Sequence, residues 1–307
     1  MTLRQLEVFL AVARDGSFSR AAGTIHLSQP TLSEHVHELE RELARPLFVR
    51  RGRAVTLTEA GRVFQPYAAR VVATVQDGRQ AVAELDGLAR GSLLVGASTT
   101  PGIYVLPGVV AAFLRRYPGV EVAFRVANSR VIEEQVRANV LDLGVVGAHG
   151  LGPGERCLAA GILDELVLIV PARHPWTRQR QVAPARIGEA RVLVREEGSA
   201  TRQVTERALQ RAGVALKATM ELAHTEAIKQ AVIAGLGVAF VSRYAVRGDR
   251  TGLTVVPVRG VKIWRHFHVI QSEARTLGAS AQAFIALLDE EARAMAAPSP
   301  SSSRRRA

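Results

Sequence analysis

The sequence predicts an α/β protein in three parts: a helix-rich head carrying a short β-hairpin, one long connecting helix, and a larger domain of alternating strands and helices. Three observations predict it. Apolar residues recur at helical spacing up to Leu43, an apolar seam steps by fours and threes from Phe64 to Leu85, and short apolar runs alternate with helical patterns from Gly91 onward. With 307 residues, 48% of them hydrophobic, the chain is long enough to bury more than one core.

The head begins with a helix in which Leu3, Leu6, Leu10 and Ala13 recur, with Phe9 beside them, and Asp15-Gly16 ends the run. Ser17 caps a short second helix that turns Phe18, Ala21 and Ala22 inward, and the small alanines let another helix cross closely, as a helix-turn-helix needs. GTIHLS makes the turn. Ser28 then caps a third helix, SQPTLSEHVHELEREL, with Pro30 in the first turn, where its missing N–H costs nothing. Leu32, Val36, Leu39 and Leu43 form its buried stripe.

Opposite that stripe lie Pro30, Glu34, His37 and Arg41, flanked at the leading end by Gln29, Thr31 and Ser33. Hydroxyl and amide tips at a helix N-terminus suit a major groove, where they meet base edges while the free N–H groups meet phosphate. Glu34 is the odd member, since phosphate repels a carboxylate unless it accepts from a cytosine amino group or pairs with an arginine. After Pro46-Leu47-Phe48, VRRGRAVTLT predicts two short strands about a glycine-containing turn. Such a wing sets Arg50, Arg51 and Arg53 along a nucleic-acid backbone or in a minor groove; a solvated charged hairpin is the plain alternative.

The formal net charge of +12 points to an anionic partner, and its distribution sharpens the point. Residues 1 to 89 hold 11 arginines against 10 acidic residues, yet residues 45 to 70 hold six arginines against Glu59 alone, a net +5. The tail SSSRRRA adds +3 and reads as a disordered end.

FLAVA, SFSRAA, LSQPTLS, the run through LEREL into PLFVR, and LTEAG together resemble the winged helix-turn-helix of the LysR-type transcriptional regulators, over roughly sixty residues. The resemblance implies base-reading positions for Gln29, Pro30, Thr31, Ser33 and Glu34, and wing positions for Arg50, Arg51 and Arg53. Glu34 departs from the basic or amide residue often found there. His37, exposed on the same face, completes the expected DNA-binding set.

From Thr58 to about Ala89 no cluster of breakers interrupts a helix. Phe64, Ala68, Val71, Val75, Gly78, Val82 and Leu85 form a coiled-coil seam along it, and Pro66 and Gly78 weaken it locally. A stripe of this kind packs either on its own domain or on a second copy; sustained heptads favour a homodimer. The resemblance implies a linker helix paired antiparallel and a dimer of dimers, a homotetramer.

Beyond Gly91, SLLVGA precedes VLPGVVAAFLRRY, VEVAFRV precedes SRVIEEQVRANV, DLGVVG follows, and DELVLIVP begins a further set. The alternation predicts a mainly parallel sheet with helices on both faces, and ligands of such sheets bind beyond the C-terminal ends of the strands. Those junctions are rich in hydroxyls and amides: Ser98, Thr99 and Thr100, then Asn128 and Ser129, then Ser199 and Thr201, then Thr225. Singly, each reads as a helix cap; together around one cleft they make a site for a small anion. Arg195, Arg202 and Lys229 are candidates to neutralise it, or surface cations.

This region is similar to the effector domain of the same regulators, which is periplasmic-binding-protein-like: two α/β lobes joined by crossover strands, with the effector between them. The resemblance divides the chain into a winged helix-turn-helix at 1–58, all-α-rich apart from the wing, and a long linker helix at 59–89. A two-lobed effector domain at 90–295 follows, with lobe I at 90–163 and 268–295 and lobe II at 164–267, then a tail at 296–307. REEGSATR and HTEAIKQAVIAGLGVAFVSR are most similar to a branch controlling carbon fixation or sulfur assimilation, whose effectors are small phosphorylated metabolites, nucleotides or sulfur oxyanions.

Other classes fit poorly. Eight histidines show no metal-ligand spacing beyond His35/His37 and His266/His268; alternate helix positions point apart, and a strand pair lacks a third ligand. GLGVAF is a two-glycine fragment before a strand, and neither GxSxG nor a phosphate loop occurs, so no catalytic residue, metal or cofactor is expected. The single cysteine, Cys157, excludes an intrachain disulfide framework and reads as a buried thiol with no partner suggested nearby. No window is apolar enough to span a membrane, and MTLRQLEVFLAVARDG carries charges where a signal peptide keeps an apolar core, so the expected location is the cytoplasm. A solute receptor accounts for the C-terminal two-thirds but needs export and leaves the third helix idle; a general nucleoid-binding protein accounts for charge and not for the sensor. A regulator that binds double-stranded promoter DNA and a small anionic effector accounts for every segment, with RNA polymerase as a further partner.

Overall fold

In the computed structural model, which describes residues 1–51, 54–83, 91–147, 154–216, 218–248, 251–273 and 275–296, the chain forms two units, one holding Met1–Leu85 and the other most of the remainder. Thr2 starts the first with a reciprocal cap: its hydroxyl accepts from Gln5 N at 3.3 Å, and Gln5 Oε1 accepts from Thr2 N at 2.8 Å. Helix α1 (Leu3–Asp15) runs to Gly16, whose φ of 60° favours glycine. Ser17 and Ser28 cap α2 (Phe18–Thr24) and α3 (Gln29–Glu42) through their hydroxyls.

The buried face of α1 differs from the expected one. Val8, Phe9 and Val12 are fully buried, while Leu3, Leu10 and Ala13 are half-buried. The reason is that α1 is covered on two flanks. Val8, Ala11 and Val12 pack with Ala21, Ala22, Leu32 and Val36, whereas Leu6 and Phe9 pack with Leu39, Leu47 and Ala68. The Phe9 ring lies 5.4 Å from both the Phe48 and the Phe64 ring, joining the two clusters.

Strands β1 (Phe48–Arg51) and β2 (Ala54–Leu57) pair antiparallel, from Phe48↔Leu57 to Arg51↔Ala54. Glu40 Oε1 accepts from Leu47 N at 2.7 Å and Phe48 N at 3.3 Å, which ties the hairpin to α3. Helix α4 (Glu59–Ala83) starts at Thr58, whose hydroxyl accepts from Gly61 N at 3.0 Å and donates to Pro46 O at 2.7 Å. A Cβ at Gly61 would lie 2.2 Å from the Leu47 carbonyl oxygen, so only glycine fits this crossing.

The helix continues unbroken through Pro66; residues 84–89 of the expected span lie outside the described ones, as does Leu85. Its seam is divided. Phe64 and Ala68 turn inward onto α1, while the outward large apolar residues are Val63, Tyr67, Val71 and Val82, at 62%, 59%, 49% and 69% exposure. The first turns of α4 complete the head's own core, so Val63 and Tyr67 take the outward side there, while Val71 and Val82 of the seam stay exposed.

In the second unit β3 (Gly91–Ser98) lies between β4 (Val120–Ala127) and β5 (Leu143–Gly147), all parallel. A second parallel set places β7 (Arg191–Arg195) between β8 (Ala218–Leu222) and β9 (Val238–Ser242). Two antiparallel strands connect the sets: β6 (Glu155–Pro171) and β11 (Ile263–Ser272). Residues Phe267 to Ile270 of β11 pair with β5, and Leu166 to Ile169 of β6 pair with β9. The remaining strand, β10 (Leu253–Val256), pairs with the end of β6. The parallel expectation therefore fails in the middle, where DELVLIVP is only the second half of a 17-residue strand. A chain that leaves one lobe and later returns crosses once in each direction, so its crossing strands run antiparallel.

Helices α5 (Thr99–Tyr104), α6 (Leu106–Arg116), α7 (Ser129–Arg137) and α11 (Ala279–Ala296) belong to the first lobe, where Phe113 meets Phe284 at 5.4 Å. In the second are α8 (Pro184–Glu189), α9 (Ala200–Arg211) and α10 (Thr225–Ile233). Alternation along β6 fills both faces of that lobe: Leu166, Leu168 and Val170 enter one core with Trp176 and Leu209, and Val167 and Ile169 enter the other with Ile228 and Val232. No helix among the described residues is long and apolar enough to cross a membrane.

Candidate functional sites: an exposed helix end and a hydroxyl-lined cleft

At the leading end of α3 the stripe Leu32, Val36 and Leu39 is buried, and Gln29, Pro30, Thr31, Glu34 and His37 are exposed, with Ser33 half-buried. Ser28 Oγ accepts from Thr31 N at 3.3 Å and lies 2.7 Å from Thr31 Oγ1, so the Thr31 hydroxyl is drawn into the cap. Gln29 Oε1 accepts from Ser19 Oγ at 3.2 Å. His37 Nδ1 sits 3.5 Å from Glu40 Oε2, and Arg41 lies 4.0 Å from Glu38. Glu34 makes no ion pair or hydrogen bond among the described residues. Arg53 and the side chains of Arg50 and Arg51 lie outside the described residues; in the β1 backbone the latter two pair with Val55 and Ala54 of β2.

The second site is buried. Ser98, Thr99, Thr100, Asn128, Ser129, Arg195, Ser199, Ala200, Thr201 and Arg265 surround a cavity of about 10 Å³ where β3, β4 and β7 end. Arg195 is 4% exposed: Nη1 donates to Thr225 Oγ1 at 2.9 Å, Nη2 to Thr99 Oγ1 at 3.2 Å, and Nε and Nη2 to Glu196 at 2.7 and 2.9 Å. Arg265, 5% exposed, donates from Nε to Asp164 Oδ2 at 2.8 Å, from Nη1 to Thr201 Oγ1 at 2.9 Å and from Nη2 to Thr100 Oγ1 at 3.1 Å. Asp164 Oδ1 accepts from Ser242 Oγ at 2.6 Å. Burial pushes the Asp164 carboxyl above the usual carboxylate range, against the opposing pull of Arg265 and Ser242, and burial likewise draws the Arg265 guanidinium down. Ser98 and Ser199 occupy the N-cap positions of α5 and α9 without bonding the helix ends, and both residues line the cavity.

Further contacts hold the lobes together around this cavity. The Tyr104 hydroxyl donates to Glu226, and burial with that carboxylate pushes the phenol well above its ordinary range. On the other side Arg130 N donates to Gly198 O at 3.3 Å, and Arg130 Nη1 reaches Glu197 at 3.4 Å. A roomier groove of about 560 Å³ lies along β6 and β10, but its lining is mostly apolar and no hydroxyl cluster converges there.

Three residues expected at the cleft do not line it. Arg202 turns to Glu206 at 2.9 Å and Glu221 at 2.7 Å, because an acceptor one helical turn along is closer than the cleft. Lys229 pairs with Glu226 at 3.1 Å in the same way. Thr225 lies beneath Arg195 as its acceptor. The sequence reading missed Arg265, with its partner Asp164. In Ile263, Arg265 and Phe267 an arginine takes the inward register of an alternating strand, and that was the available signal. Cys157 also differs from expectation, since its half-exposed Sγ lies 3.4 Å from His268 Nδ1, a neighbour 111 positions away.

A helix-turn-helix with a wing, followed by a long helix and a two-lobed α/β domain with a polar interlobe cleft, defines a one-component regulator that reads and senses with separate parts. Residues 3–62 match the family described as "Bacterial regulatory helix-turn-helix protein, lysR family", and residues 86–293 match "LysR substrate binding domain". The chain belongs to the LysR-type transcriptional regulators. Over 292 residues it is 37% identical to the "Probable RuBisCO transcriptional regulator" of Trichormus variabilis, covering 92% of this chain and 86% of that one. A full-length OxyR variant from Pseudomonas aeruginosa is similar over 95% of each chain, with 25% identity and a TM-score of 0.75. The CcmR regulatory domain of Synechocystis PCC6803, solved in complex with 2-PG, is 26% identical with a TM-score of 0.63 over 67% of this chain and 99% of that one.

Proposed function

We propose that this regulator reads promoter DNA with the outer face of α3 and that a small anion bound in the interlobe cleft alters that reading. One observation carries the anion: two buried guanidinium groups, Arg195 and Arg265, converge on a cavity whose other lining groups are mostly hydroxyls. The relatives named as RuBisCO regulators, and the domain solved with 2-PG, support a phosphorylated metabolite of carbon fixation over a sulfur oxyanion. A cavity of about 10 Å³ holds a water and no organic anion, so binding couples to a second arrangement in which the lobes part and reclose. The wing arginines Arg50, Arg51 and Arg53 supply backbone contacts without sequence preference. The outward stripe Val63, Tyr67, Val71 and Val82 on α4 supports a homodimer through this helix, and two dimers give the working homotetramer in the cytoplasm.

Thermal shift with inorganic phosphate, sulfate and 2-PG tests the cleft. The expected result is stabilisation of about 2.7 kcal/mol at a hundredfold excess over Kd, lost in Thr100→Val at the same concentration. A shift that survives Thr100→Val places the anion elsewhere. A response only to uncharged compounds overturns the anionic assignment.

A further inference from the structure

The positive charge of the effector domain is gathered in one lobe. Residues 164–267 hold 17 arginines and lysines against nine acidic residues, while residues 91–163 and 268–296 hold eight against nine. Two stretches concentrate the excess: 172–188 carries Arg173, Arg178, Arg180 and Arg186, 257–263 carries Arg259 and Lys262, and neither contains an acidic residue. Hydrogen bonds join the two, since Val182 N donates to Pro257 O and Arg259 N donates to Val182 O, each at 2.9 Å. All six cations are exposed and none makes an ion pair or side-chain hydrogen bond among the described residues, although Arg186 stands over the Trp176 ring at 6.0 Å. Other cations of the same domain turn to an acid: Arg116 to Glu290, Arg130 to Glu197, Arg202 to Glu221 and Arg243 to Glu165. Crowding without counter-charge costs the free protein some self-repulsion, which an acidic partner relieves.

The groove beside these cations gives the partner a second property. β10 ends at Val256 and β11 begins at Ile263; the loop between them turns aside to pair with Val182, and the groove of about 560 Å³ opens there. Val255, Pro257, Val258 and Val261 give it an apolar wall, and Gln181 and Lys262 are among its polar lining. A nucleic-acid backbone is met by cations and has no use for an apolar wall. A protein segment that mixes carboxylates with apolar side chains uses both. We propose that this face of the second lobe is a docking surface for an acidic segment of a partner protein, whose carboxylates meet the arginines while its apolar side chains enter the groove. The surface shares no residue with α3 or with the interlobe cavity, so it stands or falls separately from the readings proposed for those two sites.

The test selects random peptides displayed on phage against the full chain, with the triple variant Arg178→Ser, Arg180→Ser, Arg259→Ser as the comparison. All three side chains are exposed and unpaired, so the variant should keep the wild-type melting temperature and affinity for duplex DNA. Selected peptides should combine Asp or Glu with Leu or Phe. Made synthetically, they should bind the variant about tenfold more weakly, the size expected of three exposed charge contacts. Gln181→Glu and Lys262→Glu place negative charge in the groove and should weaken the same peptides, as should serine in place of the peptides' own apolar residues. No enrichment, peptides of another composition, or equal binding to wild type and to every variant would overturn the proposal. A triple variant that loses affinity for random duplex DNA, with a shallower salt dependence, would also overturn it and make the face a nucleic-acid contact.

Discussion

Gln29 and Glu34 extend from α3 into solvent, whereas the guanidinium groups of Arg195 and Arg265 are 4% and 5% exposed and hydrogen-bonded on several sides. On the reading proposed above, the two regions solve recognition in opposite ways. A duplex is large and brings its own desolvation, so the protein side can be a hydrated helix end that leaves the fold indifferent to its identity. A small anion offers few contacts and must be surrounded, so the protein side is buried in advance and becomes part of what holds the lobes together. The α3 residues proposed to bind DNA are therefore thermodynamically separable from folding, and those proposed for the cleft are not.

The largest expected effect follows from that coupling. Asp164→Ala leaves the buried Arg265 guanidinium without its counter-charge and should cost about 3–5 kcal/mol in chemical denaturation, while Glu34→Ala should stay within about 0.5 kcal/mol of wild type. Equal losses for the two variants would break the contrast. A smaller effect concerns pH. Burial raises the Asp164 carboxyl above its ordinary range, so it takes up a proton while exposed carboxylates are still ionised. Protonation removes the charge that offsets Arg265, and sulfate, which stays dianionic throughout, should bind severalfold more tightly as pH falls through that range. Calorimetric titration of wild type and Asp164→Asn checks this: the variant should lose the slope, and a wild type with flat affinity would show that Asp164 does not govern the cleft.

The same contrast explains what the sequence made legible. Helix α3 is local: Ser28, Pro30 and the stripe Leu32, Val36 and Leu39 lie within a dozen positions, so period and cap locate its outer face. Hydroxyl-rich strand ends were legible too, because each marks a helix start on its own. What joins them was not. Arg265 meets Thr100 across 165 positions and Arg195 meets Thr99 across 96, and no periodicity connects residues so distant. Proximity in sequence even misled, since Arg202 and Lys229 stand beside the cleft residues but are claimed by glutamates on their own helices or an adjoining strand. The α4 seam was only partly legible for a related reason: helical period gives a stripe, and only the packing of Phe64 and Ala68 on α1 says which part of it is already used.

The smallest effect on stability carries the sharpest reading of specificity. Glu34 is exposed and makes no ion pair among the described residues, although His37 and Arg41 lie on the same helix and turn instead to Glu40 and Glu38. A carboxylate left unmatched on a helix that approaches phosphates weakens binding to every sequence except one that supplies a donor, and cytosine N4 is the major-groove donor it fits best. Glu34→Gln keeps the shape, removes the repulsion and adds a donor. It should raise affinity for random duplexes while relaxing the preference for cytosine at one base pair by about 1–3 kcal/mol, with an unchanged melting temperature. Binding to specific and random duplexes side by side separates these terms, because a purely electrostatic role for Glu34 would lift both affinities equally and leave the ratio untouched.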